Sequence, residues 1–138
     1  MNSPVGVEMT ADATGLSVRV THGPSGAQLS TEPPKDNGGT GACFSPTDLV
    51  GAALATCALT TMALAARRES LPWSEAHATV VKRMVSSPRR IGELPLHLEP
   101  PVGFPPEHRA RYEEIGRTCP VALSLHPSVK VEITFRWR

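Results

Sequence analysis

Leu16, Val18 and Val20 alternate with Ser17, Arg19 and Thr21, the period of a strand with one face buried. His22-Gly23-Pro24-Ser25-Gly26 is turn chemistry, and a short strand near Ala27–Thr31 completes a hairpin. Glu32 to Cys43 reads as a loop, since it holds Pro33-Pro34, Asp36-Asn37, Gly38-Gly39 and Gly41. At about twelve residues, such a loop is long enough to serve a function or to tie the chain to a partner. The pattern then changes to helix. Ser45 suits an N-cap, Pro46 the first helical position and Asp48 the positive end of the dipole. The helix is expected to run to about Glu69, with Arg67 and Arg68 at its negative end and Ser70-Leu71-Pro72 stopping it. At roughly 1.5 Å per residue it is about 36 Å long. Leu49 to Ala66 carries no charge, and a helix apolar all round is read as central and buried on every side.

The second half returns to strands. Ala76 to Val85 is one expected strand, and Ser86-Ser87-Pro88 turns the chain. Leu94, Leu96 and Leu98 alternate with Pro95 and His97 in another, where Pro95 implies an edge or a bulge. Pro105 or Pro106 opens a helix through Arg117, and a short helix begins after Cys119. Val129, Val131, Ile133, Phe135 and Trp137 then share one face of a last strand, with Lys130, Glu132, Thr134 and Arg136 on the other. Strands, long helix, two strands, short helices and strand, in that order, make an α+β fold. A length of 138 residues fits a single domain over 1–138.

Composition removes several classes of function. Fourteen Lys+Arg against thirteen Asp+Glu leave a net charge of +1, with no basic footprint for nucleic acid. Leu49–Ala66 is the one stretch that a membrane span could claim, but it is mainly Ala, Thr and Gly, so a buried helix is the better reading and no membrane is expected. The start has neither a basic nor an apolar leader region. Three cysteines are too few for a disulfide framework, and a reducing, cytoplasmic setting is expected. A helix so rich in Ala leaves one chain little large apolar surface to bury, which points to a homodimer.

The cysteines are the residues with chemistry to offer. Cys57 falls mid-helix beside Thr56, Thr60 and Thr61, with Ala53 and Thr60 on its face; a small buried hydrophobe would sit there equally well. Cys119 precedes Pro120. If Pro120 is the first helical residue, Cys119 is the N-cap, where the dipole and free N–H groups favour a thiolate; a turn cysteine without a role fits the same place. Cys43 lies in the Gly-rich loop and is expected to be a bystander. Arg19 sits on the polar face of its strand, where most arginines are simply solvated. The five His residues have no metal-binding spacing, and no phosphate loop, dinucleotide fingerprint or GxSxG elbow is present; neither metal nor cofactor is expected.

The arrangement as a whole resembles the OsmC/Ohr family, in its divergent OsmC-like branch. Gly38-Gly39, then Ser45-Pro46-Thr47-Asp48 through Thr56-Cys57, is similar to that family's signature helix, and Cys119-Pro120-Val121 before a last strand to its second motif. The resemblance runs from about Leu16 to the C-terminus. It implies a swapped α+β homodimer with the long helix between sheets, and a thiol peroxidase that reduces organic hydroperoxides. Cys57 would be peroxidatic and Cys119 resolving, with an early-strand Arg corresponding loosely to Arg19 and Arg89 and Arg90 as rival cations. The reductant implied is a dithiol of lipoyl type. The family carboxylate after the helix-opening Pro is replaced by Thr47, with Asp48 next to it. A small-ligand binding or redox-sensing protein of the same fold is the alternative.

Overall fold

The structure is a computed structural model that describes residues 5–138. The chain forms two compact units, one up to Leu49 and one from Val50 to Arg138.

The N-terminal unit is a three-stranded antiparallel meander of β1 (Met9–Thr14), β2 (Ser17–His22) and β3 (Gln28–Thr31), in that order. The hairpin expected over Leu16–Thr31 is β2–β3. β1 has no counterpart in the sequence reading. Met9, Ala11 and Ala13 do alternate with polar residues, but they carry little apolar bulk and the whole strand is exposed. Gly15 turns β1 into β2 at φ +64°, a conformation that glycine adopts at no steric cost. The loop after β3 is tied to itself. Pro34 to Gly38 wraps a short 3-10 turn over Lys35–Asn37, and the Glu32 amide donates to the Phe44 carbonyl at 3.2 Å. A Cβ on Gly39 would lie 1.6 Å from the Pro33 carbonyl oxygen, so no other residue fits that approach.

Helix α1 (Pro46–Arg68) starts where the sequence places it. Ser45 Oγ accepts the Asp48 N–H at 3.1 Å, and the Asp48 carboxylate accepts the Ser45 N–H at 2.8 Å. This reciprocal pair is a capping box, and it gives Asp48 a second role beside its place at the positive end of the dipole.

The helix departs from expectation in its burial. Within the chain only Gly51, Leu54, Ala58, Met62 and Ala66 are buried, a stripe three or four residues apart; Thr56, Thr60 and Leu64 on other faces are exposed. Among the described residues α1 is the one helix long and apolar enough to cross a membrane, yet its buried stripe belongs to the core of the C-terminal unit. Small side chains are apolar by composition, but one sheet can cover only one side of a helix.

That sheet is built on β6 (Arg90–Glu99). β4 (His77–Val80) and β5 (Arg83–Val85) pair antiparallel with its two ends, and β7 (Lys130–Phe135) lies parallel on its other side. The strand expected over Ala76–Val85 is thus β4 and β5, broken at Val81–Lys82. Pro95 explains the break; of the edge and the bulge it leaves open, the edge is excluded, because β6 is paired on both sides. Pro95 sits in the central strand, its carbonyl accepts the Val81 N–H at 3.0 Å, and its missing N–H falls on the same side, where the ladder is interrupted.

Leu94, Leu96 and Leu98 of β6 and Ile133 of β7 face inward and are buried. The Leu94 and Val80 side chains approach α1 at Gly51, where an added Cβ would meet them at 3.6 and 3.8 Å. The parallel crossover from β6 to β7 carries α2 (Pro106–Arg117) and α3 (Pro120–Ser124). Phe104 and Tyr112 pack with ring centroids 4.7 Å apart and close the core.

This arrangement predicts that Leu96→Ala costs about 2–5 kcal/mol of unfolding free energy, because it empties a fully packed site. Lys130→Ala, on the outward face of the neighbouring strand, is expected to stay within about 0.5 kcal/mol. Urea titration of both variants measures the contrast.

Candidate active site

Cys57 is half-buried, one residue before Ala58 of the buried stripe. Its position on the helix turns it to the border of the core, where a side chain can be packed and still be reached. Thr61, one turn on, places Oγ1 at 3.8 Å from the Cys57 sulfur. Thr60, expected on that face, is exposed, and the Thr56 hydroxyl donates back to the Ala52 carbonyl at 2.9 Å. Thr61 is therefore the hydroxyl that serves Cys57. The i, i+4 spacing was the signal that could have singled it out.

Cys119 is the N-cap of α3, with φ −64° and ψ 154°, and is fully buried. Pro120 at the first helical position withholds one N–H, and the Cys119 side chain makes no capping hydrogen bond; the Val121 and Ala122 amides are the donors nearest in effect to the sulfur. The expectation that this position lowers the thiol pKa is overturned. Those two amides do favour the thiolate, but burial outweighs them and pushes the Cys119 thiol up. A helix of five residues brings too little dipole to reverse that order.

The fold brings Cys57 and Cys119 together. Their side chains are near enough to interact, and Cys57 reinforces the upward shift at Cys119. The approach follows a close contact of α2 with α1 at one point. Gly116 of α2 lies under the Met62 sulfur, where an added Cβ would be 3.0 Å from it and 3.2 Å from Phe135. At the far end of α1, Glu69 receives both guanidinium nitrogens of Arg111, at 2.8 and 2.9 Å, and the Tyr112 hydroxyl. Arg111 and Tyr112 hold the Glu69 carboxyl below its usual range, while burial and Glu69 push Tyr112 up to about 12. Sequence reading stopped at Glu69 as a helix end and did not find this cluster.

Arg19, Cys43 and Thr47 lie in the N-terminal unit. Arg19 is exposed on β2, in register with Asp12 of β1 and Ser30 of β3, in an open polar groove of about 520 Å³ with Thr14, Thr21 and Gln28. Cys43 is exposed in the loop before α1. Thr47 Oγ1 is 3.2 Å from Ser45 Oγ in the first turn of α1. Arg89 and Arg90, in the C-terminal unit, are exposed where β5 turns into β6. Among the described residues no three His, Cys, Asp or Glu side chains group as metal ligands.

The OsmC-like protein family matches residues 39–134, which include the capped start of α1 and both contacting cysteines. The chain belongs to the OsmC-like protein family. No protein of curated function matches it significantly in sequence. Among solved structures, one match is a Psychrobacter arcticus protein described as an osmotic-stress-induced and detoxification response protein. It is 28% identical, aligned over 99% of this chain and 98% of that one, with a TM-score of 0.86. The organic hydroperoxide resistance protein OsmC of Legionella pneumophila is 18% identical over 97% and 98% of the two chains, with a TM-score of 0.75. An organic hydroperoxide resistance protein of Elizabethkingia anophelis is 18% identical over 100% of both, with a TM-score of 0.78. These likenesses bear out the α+β OsmC-like fold expected from the sequence.

The Tyr112 shift makes a prediction about pH. Its folded value lies above the ordinary tyrosine value near 10, so its contribution to stability is complete below about pH 10 and is lost as pH rises towards 12. Denaturation of wild type and Tyr112→Phe at pH 9 and above pH 11 is expected to show the difference between them shrinking at the alkaline end.

Proposed function

We propose that this OsmC-like protein is a thiol-dependent peroxidase that reduces organic hydroperoxides through Cys57 and Cys119, in defence against oxidative stress. The observation that carries the reading is the contact of a reachable thiol with a fully buried one inside an apolar core. Accessibility assigns the order. Cys57, half-buried, meets the peroxide, and Cys119, buried and held as a neutral thiol, waits behind it. The names of the Legionella and Elizabethkingia neighbours, both organic hydroperoxide resistance proteins, support the substrate class.

The chemistry balances with these two thiols and an external dithiol. The Cys57 thiolate attacks the terminal oxygen of ROOH, the O–O bond breaks, and RO⁻ leaves to take up a proton as the alcohol. Cys57 is left as sulfenic acid. The Cys119 sulfur then attacks the Cys57 sulfur, expelling water and forming the disulfide. A dithiol, for which a lipoyl-type compound is our candidate, reduces the pair and is itself oxidised. In the first step the Thr61 hydroxyl donates to the Cys57 thiolate. Arg19, of this chain or of a second copy, is our assignment for the guanidinium that offsets the cost of a thiolate in an apolar pocket, because arginine stays charged and its fork can hold both sulfur and oxygen.

We further propose a homodimer in the cytoplasm. The exposed side of α1, with Leu64 40% exposed, and the exposed Met9, Leu16 and Phe44 of the N-terminal unit are apolar surface that a second copy would cover. A redox-sensing or small-ligand binding role is the second reading, favoured by Thr47 at the position of the family carboxylate.

Purified protein supplied with a dithiol is expected to consume cumene hydroperoxide. Cys57→Ser is expected to stop turnover, and Cys119→Ser to leave a sulfenic acid on Cys57 that dimedone traps. An inactive wild type whose cysteines nevertheless oxidise would favour the sensing reading. Closure of the disulfide is expected to quicken as pH rises above the ordinary thiol range, since Cys119 must ionise and its pKa is raised. Arg19→Met is expected to slow alkylation of Cys57 at neutral pH by about tenfold or more; an unchanged rate would leave Arg19 a solvated strand residue. Sedimentation is expected to give about twice 14.7 kDa.

A further inference from the structure

The chain from α1 and the chain from α2 meet in an antiparallel series. Glu69, just past α1, meets Tyr112 and Arg111 of α2, Met62 of α1 meets Gly116 of α2, and Cys57 of α1 meets Cys119, the cap of α3. The first of these is not what a helix end would choose for itself. A carboxylate at a helix C-terminus opposes the dipole, and here it is retained with three donors on it. Arg111 brings both guanidinium nitrogens, and its guanidinium also stacks 5.0 Å from the Tyr112 ring. Tyr112 is fully buried, stacks on Trp73 and packs at a tilt against Phe104, so the hydroxyl that reaches Glu69 is anchored in the core. Thr118, whose hydroxyl closes α2 on the Glu114 carbonyl at 2.8 Å, is followed directly by Cys119, the cap of α3.

We propose that Glu69, gripped by Arg111 and Tyr112, is a positioning residue for the Cys57–Cys119 pair. It fixes the angle and height of α2 on α1, and so sets how often the Cys119 sulfur faces Cys57. The proposal rests on the reading of those two cysteines as a redox pair. Its physical content is an effective concentration. A dithiol whose α2 is free to slide or tilt loses more freedom on closing the disulfide than one whose α2 is already pinned. Releasing the grip therefore weakens the disulfide relative to the dithiol, and slows its closure, without touching the attack of Cys57 on peroxide. Gly116 under Met62 keeps the helices close, and Glu69 acts as the second fixed point that prevents rotation about the first.

The test is a redox titration of the Cys57–Cys119 pair in dithiothreitol buffers, in which reduction of the disulfide is matched by oxidation of dithiothreitol to its cyclic disulfide. A Cys43→Ser background keeps the third thiol out of the measurement. Glu69→Ala is expected to lower the equilibrium constant for the disulfide about tenfold, which is ~30 mV for a two-electron couple. Glu69→Gln keeps an oxygen for the Tyr112 hydroxyl and is expected to recover part of that loss. Tyr112→Phe keeps the packed ring and supplies the same measurement if Glu69→Ala does not fold. Dimedone trapping during peroxide oxidation is expected to show a longer-lived Cys57 sulfenic acid in Glu69→Ala, with its rate of formation unchanged. Variants that melt earlier but titrate at the wild-type midpoint would show a merely structural clamp and overturn the proposal. A wild type that forms the disulfide in the buffer yet consumes no hydroperoxide would remove the peroxidase reading alone, leaving the positioning role to the midpoints. A wild type that forms no Cys57–Cys119 disulfide would overturn both.

Discussion

A helix built mostly of Ala, Gly and Thr offers little apolar volume, so whatever packs on it must come close to its backbone. α1 meets that demand with a single stripe, Gly51, Leu54, Ala58, Met62 and Ala66, against which β6 and α2 are laid. The close approach at Gly51 admits Leu94 and Val80, and the one at Gly116 admits Met62 and Phe135. Because interiors are packed to crystal-like density, these two contacts leave the helix little freedom in its seat. Cys57 is adjacent to the stripe, and so its depth and direction follow from the same packing.

The two cysteines differ because their backbones differ. Cys57 hangs from the flank of a long helix and stays half-exposed, with the Thr61 hydroxyl as its neighbour. Cys119 sits where α2 ends and α3 begins, sealed in the core, with the N–H groups of Val121 and Ala122 too weak to offset burial. A pair of thiols in one environment would compete for the same proton and the same oxidant. Separate environments give them an order, and that order is what a two-step reduction of a peroxide needs. It also makes the second sulfur dependent on where α2 is held, since Cys119 has no freedom of its own once Pro120 starts α3.

Much of this was legible in the chain because it was local. Ser45, Pro46 and Asp48 announce the start of α1 by spacing alone, and Pro120 announces α3. The alternation of Val131, Ile133 and Phe135 reads directly as the buried face of β7. What was not legible depends on partners distant in sequence. β1 is hidden because Ala11 and Ala13 give its alternation too little bulk, and Pro95 reads as an edge or a bulge because nothing local reveals that β7 returns beside β6. The raised thiol of Cys119 was missed for the same reason, since a cap position is written in the sequence and depth of burial is not. The grip of Arg111 and Tyr112 on Glu69 spans more than forty residues and has no local signature. The contact of Cys57 with Cys119 is equally remote; there the resemblance to OsmC-like proteins supplied what spacing could not.

The central claim is that the thiol on α1 and the thiol at the start of α3 act as one redox pair, with Cys43 outside it. Treating the reduced protein with one equivalent of an organic hydroperoxide, blocking free thiols and mapping the linked peptides tests this most directly. The account predicts a single intramolecular link between Cys57 and Cys119 and a fully alkylated Cys43. A link from Cys43 to either of them, or oxidation with both Cys57 and Cys119 recovered as free thiols, would contradict it.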